Sequence, residues 1–393
     1  MASSINASTS GAGGVITTAD NSGILNLQSN GTTVATVSST GFSTPANQTI
    51  NTANTFGFKN RIINGGMVID QRNGGASSTG SNVFTVDRFG WYTSQGSKFT
   101  WGQNLNSITP PTGFSNYLGY QSSSAYSVTS SDYFQLIHNI EGFNTADLAF
   151  GTANAKTITI SFWVYSSLTG TFAGGIQNSA GNRAYPFTYT ISSANTWTQI
   201  SVTIAGDTTG TWVGATNATG ISLRFSLGAG SNYQGTANTW NSSGAFSVSG
   251  ATNIVGTNGA TWYITGVQLE VGSQATSFDF RSIGQELALC QRYYETAVMG
   301  LMGSSFGGAN WMTGWRFEVT KRTTPTMTNG SVITIWDPST ATYTQSSAGL
   351  QGAYTTTGGS SMIFNTFSGL TTYRPYISQA GSESTALTAS AEL

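Results

Sequence analysis

The sequence predicts an all-β protein with one short helix. It divides into a small N-terminal strand segment, a central two-sheet sandwich and a second β domain at the C-terminal end. Three observations predict this. Short runs of alternating apolar and polar residues recur along the chain, separated by turn residues. Glycine is abundant, at 49 residues, while charge is scarce, with 14 basic and 15 acidic residues in 393; ordinary soluble chains are about 25% charged. Only the stretch 282–296 joins an N-cap signal to helical spacing.

Residues 1–58 carry one charge, Asp20. Gly23–Leu27 and Thr33–Val37 flank Asn30-Gly31, the pair that a two-residue hairpin turn prefers. The apolar content here (Ile24, Leu25, Leu27, Val34, Val37, Phe42) is too small for an independent core. The segment is expected to intertwine with other copies or to dock on another protein; a flexible arm is the other reading.

Residues 59–281 carry the sandwich. Ile158, Ile160, Phe162 and Val164 oppose Thr157, Thr159, Ser161, Trp163 and Tyr165. Ile200, Val202 and Ile204 oppose Trp197, Gln199, Ser201 and Thr203, and Ile221, Leu223, Phe225 and Leu227 oppose Ser222, Arg224 and Ser226. Phe187, Tyr189 and Ile191 make a further run. No regular repeat of a solenoid or propeller is present. The final strand, 261–271, sets Tyr263, Thr265, Val267, Leu269 and Val271 against Trp262, Ile264, Gly266, Gln268 and Glu270, with one face mainly buried. Gly272 ends it.

Ser282 and Gln285 form a capping box that opens the helix, and Ile283, Leu287, Cys290 and Tyr294 fall on one apolar stripe. A single cysteine excludes an internal disulfide framework and a cysteine zinc site. Its place on the stripe makes it a small core residue.

In residues 297–393, Gly303, Gly307, Gly308 and Gly314 predict a loop-like start. Trp315, Phe317 and Val319 then alternate with Arg316 and Glu318. Ser331–Trp336 reads as a strand closed by Asp337-Pro338. Ser361–Phe367 and Leu370–Ile377 are further strands, the last placed at an edge by Pro375.

Several function classes are excluded. A net charge of −1 with scattered basic residues is no nucleic-acid footprint. No run approaches the roughly 18 apolar residues of a membrane span, so no membrane insertion is expected. MASSINASTSGAGG lacks the basic and apolar regions of a signal peptide, which predicts synthesis in a cytoplasm. The polar surface must be built from Ser, Thr, Asn and Gln, electrostatically quiet and little affected by salt. Such a surface suits sugar hydroxyls, although a turn-rich β protein has the same composition. No metal or other cofactor is expected, because no D-x-D-x-D-G loop is present.

No catalytic arrangement emerges, and the chain is not expected to be an enzyme. The one histidine, His138, lies in an apolar run with no base partner in view, and Gly-x-Ser-x-Gly is absent. Asp70 and Asp87 neighbour Arg72 and Arg88 and read as structural ion pairs, which leaves no carboxylate pair of the kind a glycosidase needs. The candidate chemistry is sugar binding on aromatic platforms, where an indole stacks on a ring's C–H face beside amides and hydroxyls. Trp163 and Tyr165 lie opposite an apolar strand face, as does Trp197, which shares its face with Gln199. Trp240 sits among amides in a loop, and Trp311, Trp336 and Tyr373 are comparable positions in the C-terminal domain. The competing expectation is that these faces pack on a loop, a neighbouring subunit or the C-terminal domain.

The segment GVQLEVGSQATSFDFRSIGQELALCQRYYE, residues 266–295, resembles the closing strand and helix of a jelly-roll module of tailed-bacteriophage tail fibres and other fibre proteins. NRIINGGMVIDQR (60–72) is similar to the module's opening, and Val86–Tyr92, Ser161–Ser167 and Gly206–Trp212 match further pieces in the same order. KRTTPTMT (321–328) and the final ASAEL also resemble fibre C-termini. The resemblance implies a virion-attachment and trimerisation segment over 1–58, a jelly-roll domain over 59–281, a linking helix over 282–296 and a C-terminal β-sandwich over 297–393, assembled as a fibrous homotrimer. Glu270 and Asp279 are implied to be structural. The implied role is a tail-fibre receptor-binding subunit of the virion, made in the host cytoplasm. Its partners would be its own copies, another virion protein at the N-terminus, and host-surface polysaccharide or lipopolysaccharide. A head, neck or capsid-decorating fibre without a specific receptor is the alternative.

Overall fold

Alternating runs become strands whose inward residues fill two separate cores, one on each side of the helix. The computed structural model describes residues 3–7, 15–18, 22–39, 41–44, 59–297, 300–379 and 387–393. At the N-terminal end, β1 (Ser3–Ala7), β2 (Val15–Thr18), β3 (Leu25–Ser29), β4 (Thr32–Ser38) and β5 (Gly41–Ser43) form one sheet in the order β2-β1-β3-β4-β5. Asn30 and Gly31 both take positive φ, 49° and 75°, in the two-residue turn between β3 and β4. That is the turn geometry which matches strand twist, and the hairpin expected there is present.

The sandwich holds β6 (Val83–Phe84), β7 (Phe89–Thr93), β8 (Phe99–Gln103), β9 (Leu118–Ser122), β10 (Tyr133–Glu141), β11 (Ile158–Ser166), β12 (Gly170–Asn178), β13 (Ala184–Ile191), β14 (Thr198–Ile204), β15 (Thr219–Ala229) and β16 (Thr261–Val271). A six-stranded sheet runs β13-β12-β15-β10-β7-β6 and a five-stranded sheet runs β14-β11-β16-β9-β8. Inward side chains of the two sheets meet directly. Phe162 of β11 packs edge-on against Phe225 of β15, with centroids 5.0 Å apart. Trp262 of β16 donates its indole N–H to Tyr189 Oη of β13 at 3.2 Å, so the buried ring keeps no unsatisfied donor.

Strand β16 departs from the expected alternation. Trp262, Ile264, Val267 and Leu269 share the core, whereas Tyr263, Thr265, Gln268 and Glu270 lie on the other side. The change of phase falls at Gly266, which has φ 63° and coincides with a shift of register against β11. A bulge adds one residue and so exchanges the two faces beyond it. A Cβ on Gly266 would meet the Phe114 ring at 2.6 Å and Trp163 at 3.1 Å.

The opening segment lies against this closing strand. Arg61 N donates to Leu269 O at 3.0 Å, and Val267 N donates to Gly65 O at 2.9 Å. A Cβ on Gly65 would stand 2.1 Å from Val267 O, so only glycine allows the approach. The Asn60 side-chain oxygen accepts from Ile62 N and Leu269 N at 2.9 and 3.2 Å. Glu270, expected to be structural, accepts from Thr276 N and Oγ1.

Ser282 caps helix α1 (Ile283–Gln291), accepting from Gln285 N. Two expectations are corrected. The helix ends at Gln291, and Tyr294 belongs to a strand. The apolar stripe does not form, because Ile283 is 64% exposed and the buried positions are Glu286 and Cys290. The reason is polar: Glu286 turns inward to accept from Asn64 N and from Arg281, whose Nη1 is 3.3 Å away.

The C-terminal domain contains β17 (Tyr294–Thr296), β18 (Met302–Ser305), β19 (Trp311–Arg316), β20 (Thr326–Asn329), β21 (Thr334–Trp336), β22 (Thr342–Thr344), β23 (Leu350–Thr355), β24 (Gly359–Phe364), β25 (Pro375–Ser378) and β26 (Leu387–Ser390). A three-stranded sheet runs β17-β26-β20 and a seven-stranded sheet runs β22-β21-β25-β18-β19-β24-β23. Gly303 and Gly314 lie in strands and not in a loop. A Cβ on Gly303 would stand 2.0 Å from Met312 O, so this glycine serves close strand approach. Val319 falls beyond the end of β19, and Leu370–Arg374 precedes the last expected strand instead of belonging to it. That strand, β25, is interior; Pro375 is its first residue, where a missing N–H is tolerated.

Charged side chains concentrate where the two domains meet. Arg88, 1% exposed, bonds Glu392 and donates to Asn139 O at 2.6 Å, with its guanidinium 3.5 Å from the centre of the Tyr293 ring. Arg72 reaches Glu392 at 2.8 Å and Asp87 at 3.4 Å. Arg292 binds Glu141 through two bonds of 2.9 and 2.7 Å, and Tyr293 donates to the same carboxylate at 2.7 Å. Arg322 donates to Ala391 O, Glu392 O and Asn217 O at 2.7–2.8 Å. The expected pairing of Asp70 and Arg88 with their sequence neighbours is therefore corrected. Asp70 accepts from Asn73 N and Gly75 N in a turn, and Arg88 pairs across the domain junction.

Two outcomes follow for stability. Glu392→Ala leaves Arg88 buried without its anion and is expected to cost about 3–5 kcal/mol in denaturant unfolding; a change near zero would contradict the pairing. Burial, opposed by Arg72 and Gln71, pushes the Asp87 carboxyl up to about 6. Its folded pKa then exceeds the unfolded value, so its stabilising proton is fully present below about pH 4 and lost as pH rises through 6. Unfolding measured from pH 4 to 7 is expected to show that decline in wild type and a flatter profile in Asp87→Asn; identical profiles would refute it.

Candidate functional site

Strand β10 turns Phe134, Leu136, His138 and Ile140 into the core and Tyr133, Gln135, Ile137 and Asn139 outward, since successive side chains alternate. Pairing builds a lattice on that outer face. Gln135 stands opposite Tyr92 of β7 and Ser226 of β15, Ile137 opposite Gly90 and Arg224, and Asn139 opposite Ser222. A Cβ on Gly90 would meet the Tyr92 ring at 2.6 Å, so glycine leaves room for that tyrosine to lie across the sheet.

A groove of about 400 Å³ results, lined by Tyr92, Tyr133, Gln135, Ile137, Asn139, Ser179, Thr219, Ser222, Arg224 and Tyr233. Ile137, 8% exposed, gives an apolar patch on its floor. Tyr133 and Tyr233 stand edge to face, 5.3 Å apart. Ser222 Oγ donates to Asn139 Oδ1 at 2.6 Å, and Asn139 Nδ2 donates to the Leu393 main-chain oxygen at 3.1 Å. Arg224 Nη1 donates to Gln135 Oε1 at 3.3 Å, while its buried Nε finds no acceptor among the described residues. Burial brings the Arg224 pKa down to about 10. Six of the ten lining residues are polar or charged, so the hollow offers mainly hydrogen-bonding groups beside a smaller surface of tyrosine rings and Ile137.

The aromatic residues singled out in the sequence lie elsewhere. Trp163, Tyr165 and Trp197 are half-buried on the outer face of the five-stranded sheet. Tyr165 and Trp197 are 5.5 Å apart and join Tyr117 and Tyr263 in one cluster. The loop after β8 covers part of it: Trp197 Nε1 donates to Thr109 O at 2.8 Å, and Thr265 Oγ1 donates to Asn116 O at 2.7 Å. Trp240 packs against Phe150, Tyr185 and Trp212, and its Nε1 donates to Ala205 O at 2.9 Å. Trp311 is fully buried and stacked on Phe364, so it offers no face to a ligand and belongs to the core. Trp336 borders a separate hollow of about 230 Å³ with Met302, Pro338 and Pro375, and Tyr373 is 83% exposed.

His138 is buried, hydrogen-bonded to Ile63 O at 3.0 Å, and burial followed by Arg88 holds it well below the usual histidine range. Cys290 is buried, and burial pushes its thiol well up. No group of three or more metal-ligating side chains occurs among the described residues. Sequence reasoning missed the groove. The available signal was Arg224 between Ser222 and Ser226 on a polar strand face, but strand order decides which polar faces come together.

Neither a family model nor a curated protein matches the sequence. Among solved structures, a putative sugar binding protein from Bacteroides thetaiotaomicron aligns with a TM-score of 0.31 and 12% identity, over 55% of this chain and 100% of that one. TmCBM61 in complex with β-1,4-galactotriose aligns at 0.27 and 10%, over 55% and 99%. The enzymatically active domain of tailspike protein 4 of bacteriophage CBA120 aligns at 0.28 and 14%, over 54% of this chain and 21% of that chain. The chain thus spans about a fifth of the tailspike's length. At such scores, function is read from the site's own residues.

Proposed function

We propose that the chain is a virion fibre subunit that binds a host-surface saccharide non-covalently in the groove across β7, β10 and β15. The groove itself carries the reading. Tyr92, Tyr133 and Tyr233 supply aromatic surface for the C–H face of a sugar ring, and Gln135, Asn139, Ser222 and Thr219 supply amides and hydroxyls for its hydroxyl groups. The lining holds amides, hydroxyls and tyrosine rings without the paired carboxylates that most glycosidases use, and the reading taken here is non-covalent binding.

The assignment to a tail or other external virion fibre rests on the sequence segments similar to phage fibre modules. In that reading the protein acts as a homotrimer attached through its N-terminal segment to another virion protein. Three weak sites per fibre then act together through effective concentration.

Host adsorption by purified protein tests the proposal. Tyr133→Ala combined with Tyr233→Ala is expected to reduce adsorption about tenfold or more, because losing one good contact of about 1.4 kcal/mol is a factor of ten. Trp163→Ala and Trp336→Ala are expected to leave it unchanged. Undiminished adsorption by the double variant would remove the groove, and loss with Trp336→Ala alone would move the site to the C-terminal hollow. A monomer in light scattering of the same preparation would contradict the trimer.

A further inference from the structure

Most arginines in this protein meet an anion. Arg61 bonds Asp147 at 2.7 Å, Arg183 bonds Asp207 at 2.6 Å, Arg292 bonds Glu141 at 2.7 Å and Arg374 bonds Asp337 at 3.1 Å. Arg72 and Arg88 share Glu392, and Arg281 stands 3.3 Å from Glu286. Arg322 has three main-chain oxygens in place of a carboxylate. Arg224 is different. It lines the groove, half-buried, with Gln135 Oε1 at 3.3 Å, no carboxylate within ion-pair distance among the described residues, and, like Arg88, a buried Nε without an acceptor; Arg316, which also meets no carboxylate among the described residues, is by contrast exposed to solvent.

A guanidinium presents five N–H donors in a fixed plane. Taking it partly out of water without an anion is destabilising, and an oxyanion with two acceptor atoms would satisfy it. Arg224 also sits directly across the ladder from Ile137, whose side chain is the apolar floor. A ligand resting on that floor brings its edge to the guanidinium.

We propose that the saccharide bound in the groove is anionic, with a carboxylate or sulfate that pairs with Arg224. This rests on the groove being a saccharide site. The planar fork matches a carboxylate through two parallel bonds and accepts a tetrahedral oxyanion as well. The tyrosines and amides fix the ring while Arg224 selects its charge.

The test uses the full chain on an array of neutral and acidic microbial glycans, followed by calorimetry with matched probes. One pair is trigalacturonate and its methyl ester; the other is a sulfated oligosaccharide and its desulfated form. Wild type is expected to prefer an acidic member at least tenfold over its neutral mate, and the pair that shows this identifies carboxylate or sulfate. Arg224→Gln should erase the preference, and Arg224→Lys should keep part of it. Because Arg224→Gln removes a half-buried charge that no carboxylate meets, its Tm is expected to equal or exceed that of wild type. Equal affinity for acidic and neutral mates, a preference that survives Arg224→Gln, or a marked fall in Tm would overturn the anionic assignment while leaving a neutral-sugar site intact. Binding to no glycan of either kind would overturn the saccharide site itself.

Discussion

The buried guanidinium of Arg88 draws its partners from distant parts of the chain and so ties the two domains together. A cation almost withdrawn from water needs its anion and its hydrogen-bond acceptors in place. The partners come from three remote parts of the chain: Glu392 beyond the last strand, the Asn139 carbonyl in β10, and the ring of Tyr293 after the helix. Arg72, Asp87, Glu141, Arg292 and Arg322 extend the network on either side. In a chain that is 7% charged, this concentration at one junction is its main electrostatic feature. The ion pairs add less to net stability than their geometry suggests, because each charge was desolvated to reach them.

The same requirement reaches the groove. The Asn139 carbonyl is held by Arg88, and its side chain is held between Ser222 and Leu393. One end of the groove is thereby fixed from beneath by the domain junction and from the side by the last residue. Beside it, an apolar cluster of Ile63, Ile69, Cys290 and Tyr293 packs the opening segment against the helix. Cys290 acts there as a small apolar side chain, and His138 braces Ile63 from the sandwich side.

What the sequence conveyed was local. Asn30-Gly31 specified its turn, Ser282 its cap, and the alternation of Ile158–Val164 and Ile221–Leu227 their inward faces. Period alone did not carry β16, because a bulge at Gly266 exchanges its faces halfway along. It did not carry the helix stripe, because buried Glu286 serves the Asn64 amide, 222 residues away in the chain. Neighbouring charges misled in the same way: Arg88 follows Asp87 but pairs with Glu392. The groove depends on β7, β10 and β15 lying side by side, and strand order is a property of topology that no single segment contains. The tryptophans drew attention for their composition, yet tyrosines and an arginine line the groove.

With Arg88 and Glu392 paired across the junction, the sandwich and the C-terminal domain are expected to unfold as one cooperative unit. Native-state hydrogen exchange across β10 and β26 tests it most directly. Amides of Tyr133–Glu141 and Leu387–Ser390 are expected to exchange with the same, highest opening free energy in wild type. Exchange of Leu387–Ser390 at a far lower free energy, with β10 still fully protected, would show that the last strand opens independently and that the junction does not join the domains.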